Sequence, residues 1–126
     1  MRRVYCIGRN FAAHAVEIGH DPDREPPFFF QKNPDNLDAS GEFPYPPKSA
    51  DVHHEVELLI GLRSGGRDIP VDQALNHVWG YGVSLDMTRR DLQSQAKATG
   101  RPWEIGKAFE RSAPVSPLRP VAEIGH

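Results

Sequence analysis

Val52-His53-His54-Glu55-Val56-Glu57-Leu58-Leu59-Ile60 decides the fold and holds the first chemistry. It is the clearest strand of the chain, rich in aliphatic residues and ended by the turn that Gly61 opens. Strand geometry puts His53, Glu55, Glu57 and Leu59 on one face and His54, Val56 and Leu58 on the other. Two neighbouring carboxylates on a strand with apolar flanks raise each other's pKa, and burial adds to the cost. A divalent cation is the natural compensation, while an edge strand with a solvated polar face accounts for the pair equally well. The zinc-protease spacing that His54-Glu55 opens fails, because Leu58 stands where the second histidine belongs.

On the C-terminal side, Gly61 to Gly66 form a turn, and Pro70 suits the first turn of a helix running to about Val78. Tyr81 to Leu85 is another apolar strand with Asp86 at its end. If the two strands are neighbours, Asp86 joins Glu55 and Glu57 as a third ligand. An all-carboxylate set selects a hard ion, Mg²⁺ or Mn²⁺, with Ca²⁺ also admissible. Thr88 and Asp91 have capping-box spacing and open a helix that Gly100 and Pro102 close. Arg90 and Gln93 share one face of that helix, placed to meet a substrate carboxylate. Trp103 to Phe109 reads as extended, with Lys107 between Gly106 and Ala108 placed to stabilise a developing anion. Taken singly, Arg90, Gln93 and Lys107 are more simply surface residues. Pro114, Pro117 and Pro120 space out an irregular tail.

On the N-terminal side, Val4 to Ile7 is a short strand, and Asn10 caps a helix from about Phe11 to Ile18 that Gly19 ends. His14 and Glu17, three apart, face the same way on it. A carboxylate beside an imidazole raises its basicity, as a water-activating base requires, although an ordinary surface pair is the simpler account. Phe28-Phe29-Phe30 reads as a buried strand leading to Gln31-Lys32. Trp79, Tyr81 and Trp103 read as packing residues, and Cys6 as a packing residue rather than a nucleophile. The class is mixed α and β, in a single domain over residues 1–126.

Composition narrows the function. With 126 residues the chain has room for one modest core. Fifteen Lys and Arg face 17 Asp and Glu, a net charge of −2, and no basic stripe is present, which argues against nucleic acid as a partner. No apolar run approaches the roughly 18 residues of a membrane span. The run before Gly8 is too short for a signal peptide. A single cysteine rules out an internal disulfide, and the expected compartment is the cytoplasm.

Five segments together resemble the fumarylacetoacetate hydrolase family. They are residues Tyr5 to His14 (YCIGRNFAAH), Pro27 to Lys32 (PFFFQK), His53 to Leu58 (HHEVEL), Gly80 to Gln93 (GYGVSLDMTRRDLQ) and Gly100 to Phe109 (GRPWEIGKAF). Their order and spacing hold along nearly the whole chain. The resemblance implies an α+β fold, the mixed β-roll of the family's C-terminal domain. It implies that Glu55, Glu57 and Asp86 hold Mg²⁺ or Mn²⁺, that His14 and Glu17 are a water-activating dyad, and that Lys107 is an active-site lysine. Arg90 and Gln93 then help hold a small anionic keto acid.

Within the family the resemblance runs to members that cleave fumarylpyruvate to fumarate and pyruvate in gentisate degradation. Oxaloacetate decarboxylation, dienoate isomerisation and a non-catalytic remnant are the alternatives. Two departures stand out. Asn33-Pro34 follows Lys32 where members commonly place proline directly. Typical members are also nearly twice as long, and the further half carries a Thr-Gly-Thr-Pro loop. An incomplete roll implies exposed strand edges and an uncovered apolar face, open to pairing with another chain. Family members are commonly homodimers.

Overall fold

The computed structural model describes residues 1–11, 17, 19 and 26–126. Short strands pair in four small groups. β1 (Val4–Gly8) runs antiparallel to β2 (Phe28–Lys32), with Cys6 opposite Phe30. β3 (Leu37–Asp38) lies parallel to β8 (Ala113–Pro114). β4 (Val52–His53) pairs with β7 (Thr88–Arg89). β5 (Val56–Leu62), β6 (Val78–Leu85) and β9 (Arg119–Pro120) form an antiparallel sheet with β6 in the middle. The α-helices whose full range is described are α1 (Arg90–Thr99), α2 (Glu104–Lys107) and α3 (Val121–Ile124), and Pro34–Asn36 and Val71–His77 are 3-10.

The expected long strand is two strands. β4 pairs with β7 and β5 with β6, so the chain changes partner at His54-Glu55. At that switch the Asp86 amide donates to the Glu55 carbonyl at 2.8 Å, which ties the end of β6 to the start of β5. Beyond it, Glu57 and Leu59 are half-buried. Val56, Leu58, Ile60 and Leu62 point outward with 61%, 61%, 47% and 67% of their surface exposed. The uncovered apolar face expected of an incomplete roll is therefore present on β5.

Other expectations need correction. Pro70 to Val78 forms no α-helix: Val71–His77 is 3-10, and the exposed Val71 and Leu75 give a regular helix nothing to pack on. Residues 103–109 are not extended, because Glu104–Lys107 is a helical turn whose Gly106 and Lys107 amides both donate to the Trp103 carbonyl at 2.9 Å. Gly106 makes this turn fit. A Cβ there would stand 2.9 Å from the Gln93 amide nitrogen, so only glycine lets α2 rest on the backbone of α1.

The Thr88–Asp91 capping box is absent as well. Thr88 belongs to β7, and Asp91 instead accepts from the Ser49 hydroxyl at 2.6 Å and the Ala50 amide at 3.1 Å. Gly100 does close α1, with a left-handed φ of 63°. In the proline-spaced tail, β8, β9 and α3 are regular.

The triple phenylalanine alternates rather than being buried throughout. Phe28 and Phe30 pack on Trp103, with ring centroids 5.0 and 5.9 Å away, and Phe29 faces outward. Trp79 is likewise on the surface. Among the described residues, the buried apolar set is small (Val78, Met87, Ala96, Phe109 and Ala113), and the buried polar group, which includes Lys32, Asp86, Thr88, Gln93 and Lys107, is at least as large. Buried polar groups at this density must satisfy one another. No helix among the described residues is long and apolar enough to cross a membrane.

Candidate active site

Strand β6 ends at Leu85, and its pairing with β5 sets Leu85 opposite Val56. That register delivers the buried Asp86 beside Glu55, as the sequence reading required. Lys107, at the end of α2, fits between them. Its Nζ donates to Glu55 Oε2 at 2.9 Å, to Asp86 Oδ2 at 2.7 Å and to Thr88 Oγ1 at 2.7 Å. Arg90, in the first turn of α1, donates to Glu55 Oε1 at 2.5 Å and to Gln93 Oε1 at 2.8 Å. The expected shared face of Arg90 and Gln93 is real, and it turns toward the carboxylates.

Two residues escaped the sequence reading as site residues. Lys32, only 2% exposed, donates from Nζ to the Met87 carbonyl at 3.0 Å and to the Lys107 carbonyl. It also lies 2.9 Å from Asp86 Oδ1. A signal existed: Phe28, Phe30 and Lys32 share one face of β2 by the two-residue period, so a lysine on an aromatic inner face needed a partner. Thr88 resembled a helix cap, and nothing in its sequence context pointed to a lysine ligand.

The charges shape one another. Burial raises the Glu55 carboxyl, but Lys107 and Arg90 outweigh it and hold the group down at about 2. Glu57 moves the other way, because burial and then the Asp86 and Glu55 carboxylates disfavour its charge. Burial lowers Lys32, against the pull of Asp86. Cys6 is pushed up to about 11, by burial first and then by Asp86, which supports its reading as a packing residue. Glu55, Glu57 and Asp86 are thus set against Lys32, Lys107 and Arg90, an evenly matched group of charges.

The donor set suits a hard divalent cation. Three carboxylates lie within electrostatic reach of one another, and Asp86 Oδ1 is buried with the Lys32 ammonium 2.9 Å away. Among the described residues no three acidic, histidine or cysteine side chains form a ready cage. The Lys107 ammonium stands between two of the candidate ligands. His14 lies outside the described residues, so its pairing with Glu17 remains an expectation; Glu17 itself is exposed.

The family described as fumarylacetoacetate (FAA) hydrolase C-terminal matches residues 3–126. The chain belongs to the fumarylacetoacetate hydrolase family. Its structure superposes on a fumarylpyruvate hydrolase from Pseudomonas aeruginosa, solved with Mn²⁺ and pyruvate, with a TM-score of 0.93 and 57% identity. That match covers 100% of this chain and 56% of the other. The mitochondrial oxaloacetate decarboxylase of Dictyostelium discoideum is 42% identical over 125 residues, 98% of this chain and 57% of that protein. A mitochondrial oxaloacetate tautomerase of Arabidopsis thaliana is 38% identical over 122 residues, 97% of this chain and 55% of that protein.

The chain therefore spans about half the length of the curated relatives it matches. Its fold is the α+β fold of the family's C-terminal domain, and the solved relative with Mn²⁺ supports a divalent metal in this family. Both curated relatives are mitochondrial by name, so membership does not carry the cytoplasmic expectation with it.

Proposed function

We propose that this chain carries the metal-dependent carbon–carbon hydrolase centre of the family and acts on an acylpyruvate, with fumarylpyruvate as substrate. The observation that carries the reading is the convergence of Glu55, Asp86 and Lys107 within hydrogen-bonding distance, with Glu57 in electrostatic contact. The 57% identity to a fumarylpyruvate hydrolase holding Mn²⁺ and pyruvate supports it.

Glu55, Glu57 and Asp86 would hold Mg²⁺ or Mn²⁺, with Ca²⁺ also admissible. Such an ion supplies Lewis-acid stabilisation of a developing enolate oxygen. Arg90, with Gln93 fixing its guanidinium, meets a substrate carboxylate. His14, oriented by Glu17, takes a proton from water, and the hydroxide adds to the distal carbonyl carbon. The carbon–carbon bond then breaks, leaving fumarate and the enolate of pyruvate. Lys107 stabilises that enolate's negative charge as it appears, and protonation at carbon gives pyruvate. In this reading the partner is a small dianionic keto acid and the working unit a homodimer.

The test is loss of the acylpyruvate enol absorbance on adding purified chain with Mg²⁺ or Mn²⁺. Turnover that excess chelator abolishes, metal restores and Glu57→Ala removes is the expected result. The names of the curated relatives favour a second reading, action on oxaloacetate, so oxaloacetate belongs in the same assay. Turnover of oxaloacetate alone replaces the fumarylpyruvate assignment. No turnover of either substrate by soluble, folded chain replaces the enzyme with a remnant.

A further inference from the structure

Lys107 and a divalent cation need the same oxygens. The Lys107 ammonium has three protons, and all three are engaged: by Glu55 Oε2 at 2.9 Å, Asp86 Oδ2 at 2.7 Å and Thr88 Oγ1 at 2.7 Å. No N–H of this group remains for a substrate anion. The other lysine at Asp86 is held differently. Lys32 donates to the Met87 and Lys107 carbonyls and pairs with Asp86 Oδ1 at 2.9 Å, so it is anchored to the backbone on its own side of the carboxylate. Lys107 alone bridges two acidic side chains.

We propose that Lys107 is a built-in counter-ion that competes with the divalent cation for Glu55 and Asp86, so that metal binding is an exchange which frees the Lys107 ammonium. The inference rests on the metal-centre reading above and adds an order to it: cation first, then a lysine with protons to offer. Two positive groups sharing these oxygens repel one another by several times thermal energy, so one must give way. The exchange also prepares the centre for an anion. The centre is already balanced by Lys32, Lys107 and Arg90 against three carboxylates. Adding a dication therefore leaves an excess that a dianionic keto acid cancels.

The experiment measures Mn²⁺ affinity directly, from the free-ion electron paramagnetic resonance signal, without substrate. Lys107→Met should bind Mn²⁺ about tenfold more tightly or better than wild type, because the competing cation is gone. Equal or weaker binding overturns the exchange, since a lysine that only orients the carboxylates predicts a loss. A second measurement needs no variant. Acetic anhydride labelling of wild-type chain, read by peptide mass, should rise at Lys107 when Mn²⁺ is added and stay constant at Lys32. Unchanged or reduced labelling at Lys107 overturns the proposal. If wild-type chain binds no Mn²⁺, the metal-centre reading falls and the exchange with it. Normal Mn²⁺ binding without the Lys107 effects sinks the exchange alone.

Discussion

The two faces of strand β5 invert the usual rule. On its inner side Glu57 approaches a partly buried cluster of lysines, an arginine and carboxylates, while on its outer side Val56, Leu58, Ile60 and Leu62 stand in solvent. Fully burying such an aliphatic side chain stabilises by about 1.5–3 kcal/mol, so the outer face leaves a sizeable driving force unused. The inner face is tolerable because its charges are matched in number and its donors point at acceptors. Hydropathy alone would turn the strand the other way. Direction here is set by register, since Val56 opposite Leu85 places Asp86 against Glu55.

If the inner cluster is what organises this half of the molecule, its best-buried cation is the most sensitive point. Lys32→Met leaves the Met87 and Lys107 carbonyls without that donor and removes a cation 2.9 Å from Asp86. Breaking a buried charge pair from one side costs about 3–5 kcal/mol, and urea unfolding at pH 7 should show a loss of that size. A loss below 1 kcal/mol would mean the cluster is loosely hydrated and the contrast between the faces is shallow.

Gly106→Ala tests the same cluster through packing alone. The added methyl meets the Gln93 backbone at 2.9–3.1 Å, and neither α1 nor α2 can give without moving Lys107 or Arg90. Overpacking of this kind costs about 1–3 kcal/mol, read as a lower melting temperature. An unshifted melting curve would show that α2 is free to lift away.

The sequence carried much of this. Strand spacing put Glu55 and Glu57 on one face, while Asp86 joined them only on the condition that its strand is the neighbour, which the β5–β6 pairing meets. The helix face shared by Arg90 and Gln93 was legible from spacing too. What it missed depends on long-range contact. Lys32 reaches carbonyls 55 and 75 residues away, and no local pattern encodes those partners. Trp103 to Phe109 reads as extended because Gly106 lowers helix propensity, yet that glycine is what lets the helical turn pack on α1. The helix after Pro70 was misread for the opposite reason. Its start signal is good, but its apolar residues have no partner.

A part-buried ion pair outside the cluster sharpens the comparison, because it should respond to acid. Asp38 accepts from the Ser40 amide at 2.7 Å and pairs with Arg111. Its carboxyl is held at about 2, chiefly by hydrogen bonds from Ser40 and then by Arg111. Because the folded value is depressed, the contribution is complete above the unfolded value of about 4 and disappears as pH falls through about 2. Asp38→Asn should therefore flatten part of the stability loss between pH 4 and 2 while changing nothing in the slope above pH 5. Parallel acid limbs for variant and wild type would remove Asp38 from the account.

The smallest effect belongs to the outer face. Leu58 lies opposite Val83 between Val56 and Ile60, and all four are exposed. Leu58→Glu removes little buried area, so its stability should stay within about 0.5 kcal/mol of wild type. Hydrophobic-dye binding and concentration-dependent association should both fall, because the apolar patch is broken. The neighbouring change supplies the control. Leu59→Glu places a charge on the half-buried inner side and should cost about 1–3 kcal/mol. A one-residue step along a strand changes faces, so unequal costs are what an inward-facing charged centre demands. If the two substitutions cost the same, β5 has no fixed inner side, and Glu57 is not held near Asp86. If Leu58→Glu is the costlier one, the apolar face is covered in solution, and association rather than folding alone turns the strand.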